Sequence, residues 1–188
     1  MSKNDSIIKS LVQDYLLDEG LLREKIPDPK LDFGFQFTFP PGKDPTGRPI
    51  GKNMLVYKPK DKNLLVISVG TALSQPHIKA LNSLDETKKM NFFMDLRKHF
   101  LMKDVLYRID IQNYRYEIID QFFLPKSESI SKDTFFKSVR KVFNSMAYSN
   151  IILGEYCAGK IKPEDISKSK EFSSGSDFTL YSWIIGKS

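Results

Sequence analysis

Lys43, Arg48, Lys52, Lys58, Lys60 and Lys62 crowd into one short stretch, opposed only by Asp44 and Asp61. Six cations against two anions leave a local excess of four positive charges, the pattern that neutralises phosphates. Tyr57 lies among them as the one aromatic able to stack on a base. A single-stranded nucleic-acid site draws on several exposed aromatics, so the stretch supports at most a weak, salt-sensitive and sequence-blind contact. The competing reading is a solvated hairpin whose lysines guard a sheet edge.

Within this stretch, Gly42-Lys43-Asp44-Pro45-Thr46-Gly47-Arg48-Pro49 approaches a phosphate-binding loop. That loop needs Lys after the second Gly, then Ser or Thr, then a helix N-terminus. Arg48 and Pro49 stand there instead, and a strand follows. The two histidines, His77 and His99, are too few for a three-His or two-His-two-Cys zinc site. Cys157, the single cysteine, has no local base and suits a small buried apolar position. Asp110, Glu117 and Asp120 interleave with Arg108 and Arg115, which points to cross-strand charge pairing on a solvated face rather than to paired catalytic acids. No catalytic, cofactor-binding or metal-binding constellation emerges, and the expectation is a protein that is not an enzyme and needs no cofactor, with a basic nucleic-acid-associated domain using the 43–62 hairpin or a small-molecule binding domain as the alternatives to a protein-interaction role.

The strongest signal for a partner lies in one amphipathic stretch. At 100° per residue, Met90, Phe92, Phe93, Met94, Leu96, Phe100 and Leu101 cover about 200° of a helix, wider than the ~100° stripe that one core needs. Such a helix buries two faces, one on its own sheet and one on something else. Met90, Phe93, Met94 and Arg97 are the expected self-association surface, and a two-fold homodimer is the simplest cover for it. The alternatives are a helix wedged inside one core, or a lid formed by Phe178, Leu180, Tyr181, Trp183 and Ile184.

The elements that position these residues follow from periodicity. Ile7, Ile8, Leu11, Val12, Tyr15 and Leu16 recur at helical spacing over 6–18, with Asp5 or Ser6 to cap the start and Gly20 to end it. Leu31, Phe33, Phe35, Phe37 and Phe39 alternate with small or polar residues, which puts five large side chains on one face of a strand. Met54 to Lys58 and Leu64 to Val69 read as strands, as do Val105 to Gln112 and Tyr114 to Leu124 around Asn113. Helices are expected from Ser74-Gln75-Pro76 through 103, with a break at Ser83 to Asp85, and from Ser131 or Asp133 toward Tyr156. The fold class is therefore α+β: an antiparallel sheet of about five strands with helices on one face, in the order α-βββ-α-ββ-α. Residues 1–162 form the expected domain, and 163–188 a Ser- and Lys-rich linker with an apolar tail.

That order resembles the type III secretion chaperone-like fold. Leu31 to Phe39, the Leu64 to Val69 strand, the helix around Phe92 to Leu101 and the Leu124-Pro125 exit look like an uncharacterised archaeal family of that fold, over about residues 6–157. The resemblance implies a non-enzymatic, dimeric protein that binds extended segments of other proteins, a chaperone- or adaptor-like role with a protein client as partner. It carries no functional residue across. Composition sets the remaining expectations. With 40% hydrophobic residues the chain can build a core, and its apolar runs are far short of the ~18 residues that span a membrane. A polar N-terminus and one cysteine point to a reducing, cytoplasmic setting.

Overall fold

A computed structural model describes residues 3–47, 50–124 and 130–161. The expected domain boundary at 162 and the apolar tail lie outside the described residues. The element order is α1 (Lys3–Asp18), β1 (Leu22–Lys25), β2 (Leu31–Phe39), β3 (Lys52–Pro59), β4 (Leu64–Ala72), α2 (Gln75–Asn82), α3 (Glu86–Met102), β5 (Leu106–Asp110), β6 (Arg115–Phe123) and α4 (Lys132–Tyr156). The strands hydrogen-bond in the order β1-β2-β3-β4-β6-β5. This is the expected α+β architecture with one strand more and the central helix divided in two. The chain groups into two compact units, Met1–Val69 with Ile118–Asn144, and Gly70–Glu117 with Ser145–Ser188.

In the first unit, α1 buries Ile8, Val12 and Leu16, four residues apart on one stripe. It begins at Lys3, upstream of the Asp5 and Ser6 expected as caps. It stops where Gly20 takes φ +64°, with Leu21 N–H donating to Leu16 O at 2.8 Å and Gly20 N–H to Leu17 O at 2.9 Å. Those two bonds satisfy carbonyls that the helix end would otherwise orphan.

Strand β2 pairs antiparallel with β3, placing Phe35 opposite Val56 and Phe37 opposite Met54, and β3 places Val56 opposite Ile67 of β4. Phe35, Phe37, Met54, Val56 and Ile67 are all fully buried, so the alternation in the sequence does select the core face. Phe39 closes that row edge-to-face on Phe143 of α4, with ring centroids 5.3 Å apart. On the same face Asp120 of β6 accepts hydrogen bonds from Ser138 at 2.6 Å and Lys141 at 3.1 Å, both on α4. Asp120 thus anchors a helix instead of pairing with a neighbouring arginine.

Strand β1 carries no alternation. It is Leu-Arg-Glu-Lys, mostly exposed, and its pairing with β2 is interrupted by a register shift between Leu22 and Glu24. A short, charged, irregular strand at a sheet edge is how proteins block unwanted pairing, and for that reason it has no signature in the sequence.

In the second unit, Ser83 and Asp85 separate α2 from α3. The Ser83 hydroxyl donates to Ala80 O at 2.7 Å, and Asp85 caps α3 by accepting from Lys88 N–H at 2.8 Å. Strands β5 and β6 join through a turn with Tyr114 at φ +49°, where Asn113 donates to Asp110 from its backbone N–H and its side-chain amide. Arg115 Nε donates to Asp110 Oδ2 at 2.9 Å, the cross-hairpin ion pair expected there. Glu117, in contrast, is buried and not on a solvated face.

Candidate interaction surfaces

The flank of α3 is fixed by what the rest of the helix touches. Phe92 packs edge-to-face on Tyr156 at 5.6 Å, Asp95 Oδ2 accepts from the Tyr156 hydroxyl at 2.7 Å, and His99 stacks on Tyr148 at 4.3 Å. Rising numbers on α3 meet falling numbers on α4, so the two helices run antiparallel. Phe100 lies on Tyr107 of β5 and Tyr116 of β6, and Phe93 lies on Tyr114. At 100° per residue, α4 takes one side of α3 and the sheet lies about a quarter-turn further round.

What remains is the flank pointing away from α4. There Met90, Met94, Arg97 and Leu101 fall within about 60° of one another, at the four-three-four spacing of a helix-pairing seam. Met90 is 43% exposed, Met94 41% and Leu101 67%. Arg97 Nη1 lies 3.8 Å from Met94 Sδ, which lays the arginine along the stripe. Phe93 does not belong to it: the ring is 1% exposed, held between Phe92 and Tyr114 in the core of the unit. The wide apolar arc therefore divides into an inner half that builds the core and an outer stripe. Leu101, one turn beyond Arg97, lies on the stripe where Phe93 does not, and the contacts of α3 with Tyr114 and Tyr156 are what separate the two.

Among the described residues the basic stretch does not assemble into one patch. Lys58 is 5% exposed and forms an ion pair with Asp32, brought to the same side by the register shift of β2 between Leu31 and Phe33. Tyr57 is buried too and offers no face for stacking. Lys52 opens β3, while Lys60 and Lys62 follow its end, so a strand of about 25 Å separates them. Lys43, Lys52, Lys60 and Lys62 are exposed, and Arg48 lies outside the described residues. In the glycine-rich loop Asp44 does what a phosphate would do. Its carboxylate accepts from Thr46 N–H at 2.8 Å and from the Thr46 hydroxyl at 2.6 Å, and its carbonyl from Gly47 N–H at 2.8 Å.

The other candidates for chemistry are structural. Among the described residues no group of three His, Cys, Asp or Glu side chains could hold a metal ion. His77 Nδ1 lies 2.6 Å from Ser74 Oγ, and burial lowers its pKa. Burial likewise lowers the pKa of His99, against an opposing hydrogen bond to the Ser145 backbone and with Lys103 adding to the decrease. The Cys157 thiol is buried and its pKa is pushed up by desolvation, the reverse of what a nucleophile needs. Burial and the Asp95 carboxylate push the Tyr156 hydroxyl up to about 12, so it stays a hydrogen-bond donor between α4 and α3. An open cleft of about 320 Å³ near the start of α4 has Leu21, Phe39 and Phe136 in its wall. The charges at its mouth are already matched: Lys132 with Asp18 and Glu19, and Arg140 with Asp133. No helix among the described residues is long and apolar enough to cross a membrane.

A family described as an uncharacterized conserved protein (DUF2299) matches residues 8–153. The chain belongs to this family. The match takes in every element from most of α1 to most of α4, and so includes the α3 flank. No curated protein matches the chain. A crystal structure of an uncharacterized protein from Methanothermobacter thermautotrophicus superposes with a TM-score of 0.68 at 20% identity, covering 79% of this chain and 97% of that one. The two share a fold, and that neighbour comes from an archaeon. Family and neighbour carry no activity to transfer.

Proposed function

We propose that this family member is a non-enzymatic protein-interaction domain, chaperone- or adaptor-like, that self-associates through the outer flank of α3. The observation that carries the reading is the stripe of exposed Met90, Met94 and Leu101, with half-buried Arg97 among them, beside a packed core. Soluble chains seldom leave such a row uncovered. The stripe is self-complementary: with two α3 helices antiparallel about a two-fold axis, Met90 faces Leu101 and Met94 faces Arg97, twice over. Methionines suit an interface that adapts to more than one partner, including an extended client segment. The nucleic-acid reading is weaker, because the basic stretch is split along β3 and has lost Lys58 and Tyr57 to the interior.

Sedimentation velocity across a concentration series tests this on the chain ending at Lys162, which contains all of the family match. The expected result is a dimer that Leu101→Asp converts to a monomer without loss of helix signal. Leu101 is largely exposed, so the substitution disturbs an interface and not a core. A monomer at every concentration refutes the reading.

A further inference from the structure

Lys88, Lys89, Arg97 and Lys98 are the lysines and arginines of α3, and the lysines are matched. Lys88 pairs with Asp85 at 3.4 Å and Lys98 with Asp95 at 3.0 Å, while Lys89 donates to Asn82 at 3.0 Å and lies over the Tyr114 ring. Arg97 is the exception. Among the described residues it meets no carboxylate, and its Nη1 rests 3.8 Å from Met94 Sδ, a weak acceptor. Its neighbours one turn away on either side are Phe93, Met94, Phe100 and Leu101, all apolar. A guanidinium carries its N–H donors in a rigid fork that matches the oxygens of phosphates and carboxylates, and this half-buried one offers that fork on an apolar flank.

Arg97 stands at the edge of the stripe nearest the packed core. It lies about 40° round the helix from Phe93 and about 60° from Phe100, the residues that rest on Tyr114 and Tyr116. Met94 marks the opposite edge, with Met90 and Leu101 between them. A two-fold axis that sets two helices antiparallel runs perpendicular to both helices and to the line joining them, so it brings like edges together. Arg97 then lies alongside the partner's Arg97, offset by about 4.5 Å along the helix axis in a pair centred between Met94 and Arg97. With helix axes about 8–10 Å apart, the two long side chains reach the same point. Two guanidinium groups held there repel each other, and an oxyanion between them turns the repulsion into two charge-assisted contacts.

We propose that the dimer face of α3 holds an anion site on its two-fold axis, completed only when Arg97 of each copy donates to one tetrahedral dianion of the phosphate type. The inference rests on the reading of α3 as the self-association surface and names what tunes it. Two guanidinium charges are balanced by one dianion, which favours a phosphate-type ion over chloride or acetate. Met90, Met94 and Leu101 wall the site with apolar groups, and their low dielectric strengthens the contacts inside it. A ligand that binds the dimer and not the monomer pulls the equilibrium toward the dimer as its concentration rises. The supply of the anion therefore sets how tightly two copies pair.

Sedimentation velocity of the full chain tests this, with inorganic phosphate titrated through the millimolar range at constant ionic strength and mildly alkaline pH, and sodium acetate as the matched control. The expected result is a dimer dissociation constant that falls several-fold with phosphate and stays unchanged with acetate. Arg97→Gln should remove the response to phosphate while the chain still dimerises, because it removes the repulsion together with the site. Arg97→Lys keeps the charge without the fork and should respond more weakly than the unsubstituted chain. Lys98→Gln, at a cation already paired with Asp95, should respond in full. A dimer indifferent to phosphate overturns the proposal. So does an equal effect of acetate, which is screening alone, and so does an undiminished response in Arg97→Gln, which puts the ion elsewhere. Those outcomes leave self-association standing, whereas a monomer under every condition removes that reading and the anion site with it.

Discussion

Phe35→Ala removes the side chain at the centre of the sheet's helix-facing side. Phe35 has no exposed surface, stands opposite Val56 of β3, and is followed across the sheet by Ile67 of β4, both also fully buried. Its ring centroid lies 5.7 Å from that of Phe33. Neighbours on the strands on either side are tied by ladder hydrogen bonds and cannot collapse freely into the space left behind. The loss should therefore fall in the full range for truncating a buried phenylalanine, about 3–5 kcal/mol. For a chain of this size that corresponds to a drop in Tm of about 6–20 °C. Urea denaturation followed by circular dichroism should show a lower midpoint with an unchanged slope, since little new surface is exposed in either end state. Phe123→Ala is the control: it is 79% exposed on β6 and should cost no more than about 0.5 kcal/mol. A loss below about 1 kcal/mol for Phe35→Ala would mean that the alternating row does not face the core.

Three further outcomes follow from single sites. Gly51→Ala places a Cβ inside contact with the Pro40 carbonyl oxygen and 2.7 Å from the Phe39 carbonyl carbon, so the β2–β3 connection must shift, at about 1–3 kcal/mol in urea melts. Asp32→Ala takes the carboxylate from the buried Lys58 ammonium and should cost about 3 kcal/mol; a change within about 0.5 kcal/mol would show the pair to be solvated. His99 is held neutral by burial, so its folded pKa lies below 6.5. The stability this contributes is complete above the unfolded value and is lost as pH falls through the folded one. Urea midpoints of His99→Gln should accordingly fall less between neutral and mildly acid pH than those of the unsubstituted chain, and parallel curves would show that His99 does not titrate on unfolding.

How much of this was legible in the sequence depended on whether one strand or helix could reveal it alone. Phe33, Phe35 and Phe37 declare their face because period two is a property of one strand. The end of α1 at Gly20 and the break before Asp85 are equally local. Strand β1 was invisible because an edge guarded by Arg23, Glu24 and Lys25 has no pattern to show. The burial of Lys58 was invisible for a different reason: a register shift on a neighbouring strand decides which side chain it meets. Phe93 and Met94 are adjacent on one helix, and periodicity alone cannot say which borders the sheet. Only the contacts of α3 with Tyr114 on one side and Tyr156 on the other separate core from flank.

The most direct test of the α3 flank uses single cysteines and a short bis-maleimide linker on the chain ending at Lys162. Cys157 is buried with a raised thiol pKa and gives a low background. In an antiparallel pair centred between Met94 and Arg97, two cysteines at 94 lie about 4.5 Å apart along the axis, and two at 90 about 16 Å apart. With interaxial separation of about 8–10 Å, Met94→Cys should give a covalent dimer rapidly and Met90→Cys slowly or not at all. Equal rates at the two positions, or no crosslinking at either, would contradict self-association through this flank.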